Sequence, residues 1–166
     1  MNIHHVQRIS LPRMAAAVAL GALFAVSAFP VSAAEELHTG IAADEVKFSP
    51  GPPTLPAGVQ IAVLMGNPAE KGTFAIRLKM PAGYKIPPHQ HSQDEDVTVM
   101  AGGLKLATGE TFDGNAAPAL PPGSFVHIPF GTPHFAWVDE ETVVQINGTG
   151  PFDIKYVDPK HDPRIN

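Results

Sequence analysis

Glycine and proline break this chain so often that no long helix fits it: 18 prolines and 15 glycines are spread over 166 residues. Between the breaks lie short apolar or alternating runs, at Val59 to Met65, Thr73 to Met80, Asp96 to Ala101, Gly103 to Ala107, Ser124 to Pro129, His134 to Asp139, Thr142 to Asn147 and Phe152 to Val157. In Thr73 to Met80 the alternation is clean, with Phe74, Ile76, Leu78 and Met80 on one face and Ala75, Arg77 and Lys79 on the other, as a half-buried strand requires. Phe112 to Leu120 has room for one helical turn, weakened by Gly114 and Pro118. Many short strands with turn residues in every gap predict an all-β sandwich or barrel and argue against a helical bundle or a doubly wound α/β fold.

The first 34 residues read as an address rather than as part of the fold. His4, His5, Arg8 and Arg13 make a basic start, an uncharged apolar run follows from Met14 to Phe29, and Pro30 with Ser32, Ala33 and Ala34 offers a cleavage site. The run falls short of the roughly 20 residues that span a bilayer, so a cleaved signal peptide and a periplasmic or secreted protein are expected, with no membrane partner after cleavage. A polar, proline-rich N-terminal arm would then cover residues 35–56, with Val46 to Phe48 as an edge strand, followed by one domain over 57–158 and a tail over 159–166. The formal charge of -5 becomes more negative once Arg8 and Arg13 leave, which disfavours nucleic acid as a partner. Cysteine is absent, so any metal must be held by histidine, carboxylate or water.

One stretch carries chemistry. His89 and His91 are two residues apart, so on an extended segment both rings leave the same face with Cα atoms roughly 6–7 Å apart, close enough to converge on one ion. Glu95 follows after a short turn and shares a face with Val97 and Val99, which puts its carboxylate at the rim of an apolar interior. His134 opens a later strand behind the tight turn Pro129 to Pro133, with the small Ala136 and with Val138 on its own face. Asp94 and Asp96 read as solvated charges, and His38 and His161 fall in the arm and tail. His127 reads as structural, with a lesser chance of lining a pocket, and Tyr84, Arg77, Gln145 and Asn147 as polar groups able to reach a bound carbonyl or anion. Phe135 and Trp137 face away from His134 and should pack under the arm or at a subunit interface.

These residues resemble the cupin superfamily. Its first motif, G-x5-H-x-H-x3-E-x6-G, is filled by Gly83, His89, His91, Glu95 and Gly102. The second, G-x5-P-x-G-x2-H-x3-N, is filled by Gly123, Pro129, Gly131 and His134, with Val138 where asparagine is usual. The resemblance implies a double-stranded β-helix, a jelly-roll barrel, and a metal held by His89, His91, Glu95 and His134. Such donors suit one divalent transition metal ion, Fe, Mn, Cu, Zn or Ni. Two functions are expected from it: a dioxygenase-like metalloenzyme acting on a small molecule, with Glu95 also able to serve as a catalytic base, or a non-catalytic periplasmic protein that binds a metal or a ligand. Export favours copper and zinc among the metals, and a homodimer through edge strands is compatible with both functions.

Overall fold

The computed structural model describes residues 40–165, so the leader expected at 1–34, and His38 with it, lie outside the described residues. Strand β3 (Gly72–Met80) realises the predicted alternation, and it pairs along its whole length with β9 (Thr142–Gly150), from Gly72 opposite Gly150 to Met80 opposite Thr142. Strand β5 (Glu95–Ala101) lies on the far side of β9, with β7 (Phe125–Ile128) beyond it, while β2 (Gln60–Met65) and β1 (Ser49–Pro50) extend the sheet past β3. The result is an antiparallel six-stranded sheet ordered β1-β2-β3-β9-β5-β7.

The pairing register sets apolar side chains in rows across this sheet. Ile76 faces Ile146, which faces Val97, and Leu78 faces Val144, which faces Val99. A second sheet stacks against these rows, ordered β10 (Lys155–Tyr156), β4 (Lys85–Gln90), β8 (His134–Val138) and β6 (Leu104–Thr108). Its own rows run from Ile86 through Ala136 to Leu106, and from Val138 to Leu104. The two inner faces form one core, in which Phe74, Val99 and Val138 are each 1% exposed. This is a two-sheet jelly roll of cupin type, as the strand rhythm and the motifs predicted.

Four local expectations are corrected. The edge strand falls on Ser49–Pro50 rather than on Val46 to Phe48. Proline is tolerated there because an edge strand has no partner on its outer side, and Phe48 instead lies under the Lys79 ammonium. The Phe152 to Val157 strand shrinks to Lys155–Tyr156, set against Gln90 and His89. Phe112 to Leu120 forms no helix: Asp113 caps a tight turn by accepting from the Asn115 amide, and Leu120 bridges to Leu104. Phe112 from this loop packs on Phe135 and Trp137, so the loop, not the arm or a subunit interface, covers that aromatic pair.

All four motif glycines, Gly83, Gly102, Gly123 and Gly131, have positive φ. The demand is greatest at Gly102, where φ is 74° and a Cβ would come within 2.5 Å of the Glu141 carbonyl oxygen, so only glycine fits without moving backbone. Gly131 donates its amide to the His91 carbonyl at 2.8 Å and so ties the second motif to the first.

Candidate metal centre

Three elements meet to build the site. His89 lies near the end of β4 directly opposite His134, the first residue of β8, His91 stands one step beyond β4, and Glu95 opens β5. The bulge between Ile86 and His89 accommodates Pro87 and Pro88, which cannot donate to a ladder, and it leaves His89 in register with His134. The ring centroids lie 4.2 Å apart for His89 and His134, 5.0 Å for His89 and His91, and 5.3 Å for His91 and His134. All four side chains are buried, at 2 to 7% exposure.

Each imidazole is oriented by the backbone. Nδ1 of His89 lies 2.7 Å from the Pro87 carbonyl oxygen, Nδ1 of His91 lies 2.5 Å from that of Asp153, and Nδ1 of His134 lies 2.9 Å from that of Thr132. A carbonyl oxygen only accepts, so the proton of each neutral ring sits on Nδ1 and the lone pair of each Nε2 points into the site. Phe152 stacks on His91 at 4.3 Å with an interplanar angle of 19°, fixing its plane. The Ser92 amide and hydroxyl both donate to Asp153 Oδ1, at 2.8 and 2.7 Å, anchoring the segment that carries the Asp153 carbonyl.

The donor atoms face each other with little between them. Glu95 Oε2 lies 3.4 Å from His91 Nε2 and 3.2 Å from His134 Nε2. One nitrogen from each of the three histidines falls within 4.8 Å of the other two, a set that can hold a single ion. Burial and the neighbouring rings of His134 and His91 push His89 down to about 3, so it is neutral at physiological pH. Burial lowers His91 as well, but the Glu95 carboxylate and the Asp153 carbonyl outweigh it and raise the group above its ordinary value. Burial would raise Glu95, yet the His134 and His91 rings that face its Oε2 hold it well below the usual carboxylate range. His91 Nε2 is buried without a hydrogen-bond partner. Converging lone pairs beside a carboxylate, one of them orphaned, are the arrangement that a divalent cation relieves, and the residues therefore fit such an ion.

Above these donors lies a cavity of about 290 Å³, walled by Ile61, Ile76, Leu78, Ile86 and Ile146 and roofed by Pro52, Leu55, Phe152 and Ile154. A smaller space of about 30 Å³ borders His89 and Glu95 on the side of His134 and Ala136. Ala136 thus leaves the room expected of it, whereas Val138 is packed into the core, opposite Leu104, and lines neither space.

Several polar residues singled out in the sequence stay away from the cavity. Arg77 Nε donates to Gln145 Oε1 at 3.3 Å and Gln145 Nε2 to Asn147 Oδ1 at 3.2 Å, on the outer face of the larger sheet. His127 is exposed and pairs with Asp96 at 2.7 Å, and Asp94 accepts the Phe130 amide, so neither aspartate is simply solvated. Tyr84 donates to the Pro56 carbonyl, and Tyr156 does the same for Thr54, so both phenols tether the segment that roofs the cavity. Phe152, Asp153 and Arg164 were not legible as site residues. They lie outside both motifs, and only the tertiary fold returns them to the cavity.

Comparison with known proteins agrees with this fold. In solved structures the fold is similar to the polyketide cyclase RemF from Streptomyces resistomycificus, with a TM-score of 0.61 and 18% identity over 76% of this chain and 90% of that one. It is also similar to an acetylacetone dioxygenase from Acinetobacter johnsonii, with a TM-score of 0.57 and 18% identity over 78% of this chain and 83% of that one. KdgF from a Halomonas species gives a TM-score of 0.52 and 21% identity over 68% of this chain and 93% of that one. No curated protein matches the sequence. The family described as the ChrR cupin-like domain matches residues 38–153, a span that holds both motifs and all four converging side chains, and the chain belongs to that branch of the cupin superfamily.

Proposed function

We propose that the protein is an exported metalloenzyme that binds one divalent transition metal ion through His89, His91, Glu95 and His134 and acts on a small organic molecule in an oxygenase-like reaction. The observation that carries this reading is the convergence of the three imidazoles, each tied at Nδ1 to a backbone carbonyl, with one nitrogen of each within 4.8 Å of the others and Nε2 of His91 and His134 turned toward Glu95 Oε2. A bound ion would supply Lewis acidity and a meeting point for substrate and dioxygen. The chain supplies the rest. Isoleucine and leucine walls exclude water, the neutral His89 adds no charge to the donor set, and Glu95 stays ionised, so it would balance the charge of an ion and could accept a substrate proton if it left the ion during turnover. Similarity in fold to a polyketide cyclase and an acetylacetone dioxygenase is in keeping with small-molecule chemistry. The leader read at residues 1–34 supports a periplasmic or secreted location.

The test is oxygen uptake by protein loaded with ferrous ion, screened against small carbonyl compounds, for the wild type and for Glu95→Gln. Uptake that is lost in Glu95→Gln while the ion is retained supports the enzyme reading. Stoichiometric ion binding with no turnover would move the protein to the non-catalytic alternative, a periplasmic cupin that sequesters a metal or a ligand.

A further inference from the structure

We propose that the cavity, with no ion bound, selects an uncharged, largely apolar molecule and rejects a carboxylate. This deepens the metal-centre reading by naming a substrate class, and it does not depend on an ion being present. Apart from the histidines, three ionisable side chains among the described residues reach the cavity surface: the carboxylates of Glu95 and Asp153, and Arg164. Glu95 Oε2 is held between His91 and His134. Asp153 Oδ1 accepts both Ser92 donors, and Oδ2 lies 3.3 Å from Lys155 Nζ.

Among the described residues Arg164 is the only cationic side chain on that surface that is not a histidine, and it is engaged twice with Asp162, from Nε to Oδ1 and from Nη2 to Oδ2, both at 2.7 Å. Its Nη2 also donates to the Ile154 carbonyl at 3.2 Å. A forked arginine and carboxylate pair of this kind is among the stronger ion pairs in proteins. With no ion bound, a ligand carboxylate entering the cavity would have to break it or remain unpaired, and it would meet the Glu95 and Asp153 carboxylates on the same surface. An unpaired charge moved from water into such walls carries a desolvation penalty that nothing there returns. The apolar walls reward a hydrocarbon body instead, and the cavity has the size of a site for a small organic molecule.

The inference is tested by calorimetry at neutral pH with 2-heptanone and heptanoate on metal-stripped protein. Methyl NMR shifts of Ile76 and Ile146 locate the binding. There 2-heptanone is expected to bind at least about tenfold more tightly than heptanoate. Heptanoate binding as tightly as the ketone would overturn the inference, as would failure of both ligands to shift the two isoleucines. Asp162→Asn, which releases Arg164, is expected to raise heptanoate affinity several-fold and leave 2-heptanone unchanged, and an unchanged heptanoate affinity would contradict the pairing argument. Zinc stoichiometry is measured separately by mass spectrometry. A wild type that takes up no zinc sinks the metal reading alone, because the ketone preference of the stripped protein stands or falls by itself.

Discussion

At His89 a neutral imidazole is built into the protein by burial and by the two rings beside it. The unfolded chain protonates this residue near pH 6.5, whereas the folded one resists down to about pH 3. Between those values the unfolded state binds more protons at this position, so this group makes metal-free protein less stable as pH falls, by at most about 1.4 kcal/mol per pH unit. His91, whose surroundings favour its proton, works in the opposite sense, and comparing wild type with His89→Gln isolates the His89 component. Denaturation of both proteins between pH 6.5 and 4 should show a shallower loss of stability in the variant, and parallel curves would contradict the assignment. Val138 is a second case at this scale. It sits where the cupin pattern carries asparagine, 1% exposed and opposite Leu104, where an amide would have apolar neighbours. Val138→Asn should therefore destabilise the fold by about 1–3 kcal/mol in urea titration rather than improve the site.

At the scale of elements, the strands with clean alternation were legible from the sequence. Phe74, Ile76, Leu78 and Met80 can only face one way on a strand, and they do. What could not be read was where short polar segments go once the sheets have formed. Phe152 to Val157 alternates well enough to suggest a strand, but most of it leaves the ladder, so that Phe152 can stack on His91 and the Asp153 carbonyl can accept its Nδ1 proton. Nothing local in the sequence links Asp153 to Ser92, 61 residues earlier. The four converging side chains were legible because their spacing is written in two short motifs, and the groups that orient them were not, because those contacts are tertiary. Asp153→Ala removes the anchor for this segment and should weaken zinc or iron binding by about 10–100-fold in a chelator competition, with the thermal unfolding of stripped protein nearly unchanged. Asp153→Asn keeps an oxygen for both Ser92 donors and should retain most of the affinity. Equal affinity in wild type and Asp153→Ala would remove Asp153 from the account.

Across the whole molecule, two sheets with apolar inner faces make a stable shell, and the chain places its few buried polar side chains together within it. Among the described residues, His89, His91, Glu95 and His134 are buried in one cluster, and the other buried polar side chain, Thr142, opens β9 where it satisfies the Gly103 amide. A core that carries three imidazoles and a carboxylate with one orphaned nitrogen is less stable than an apolar one unless something binds there. Function and stability are therefore linked through the same four residues. Elemental analysis of the protein, purified without chelators, tests this most directly when run beside a His89→Ala, His91→Ala double variant. The account predicts about one transition metal ion per chain in the wild type and almost none in the variant. An absence of metal from both proteins, or equal metal in both, would contradict it.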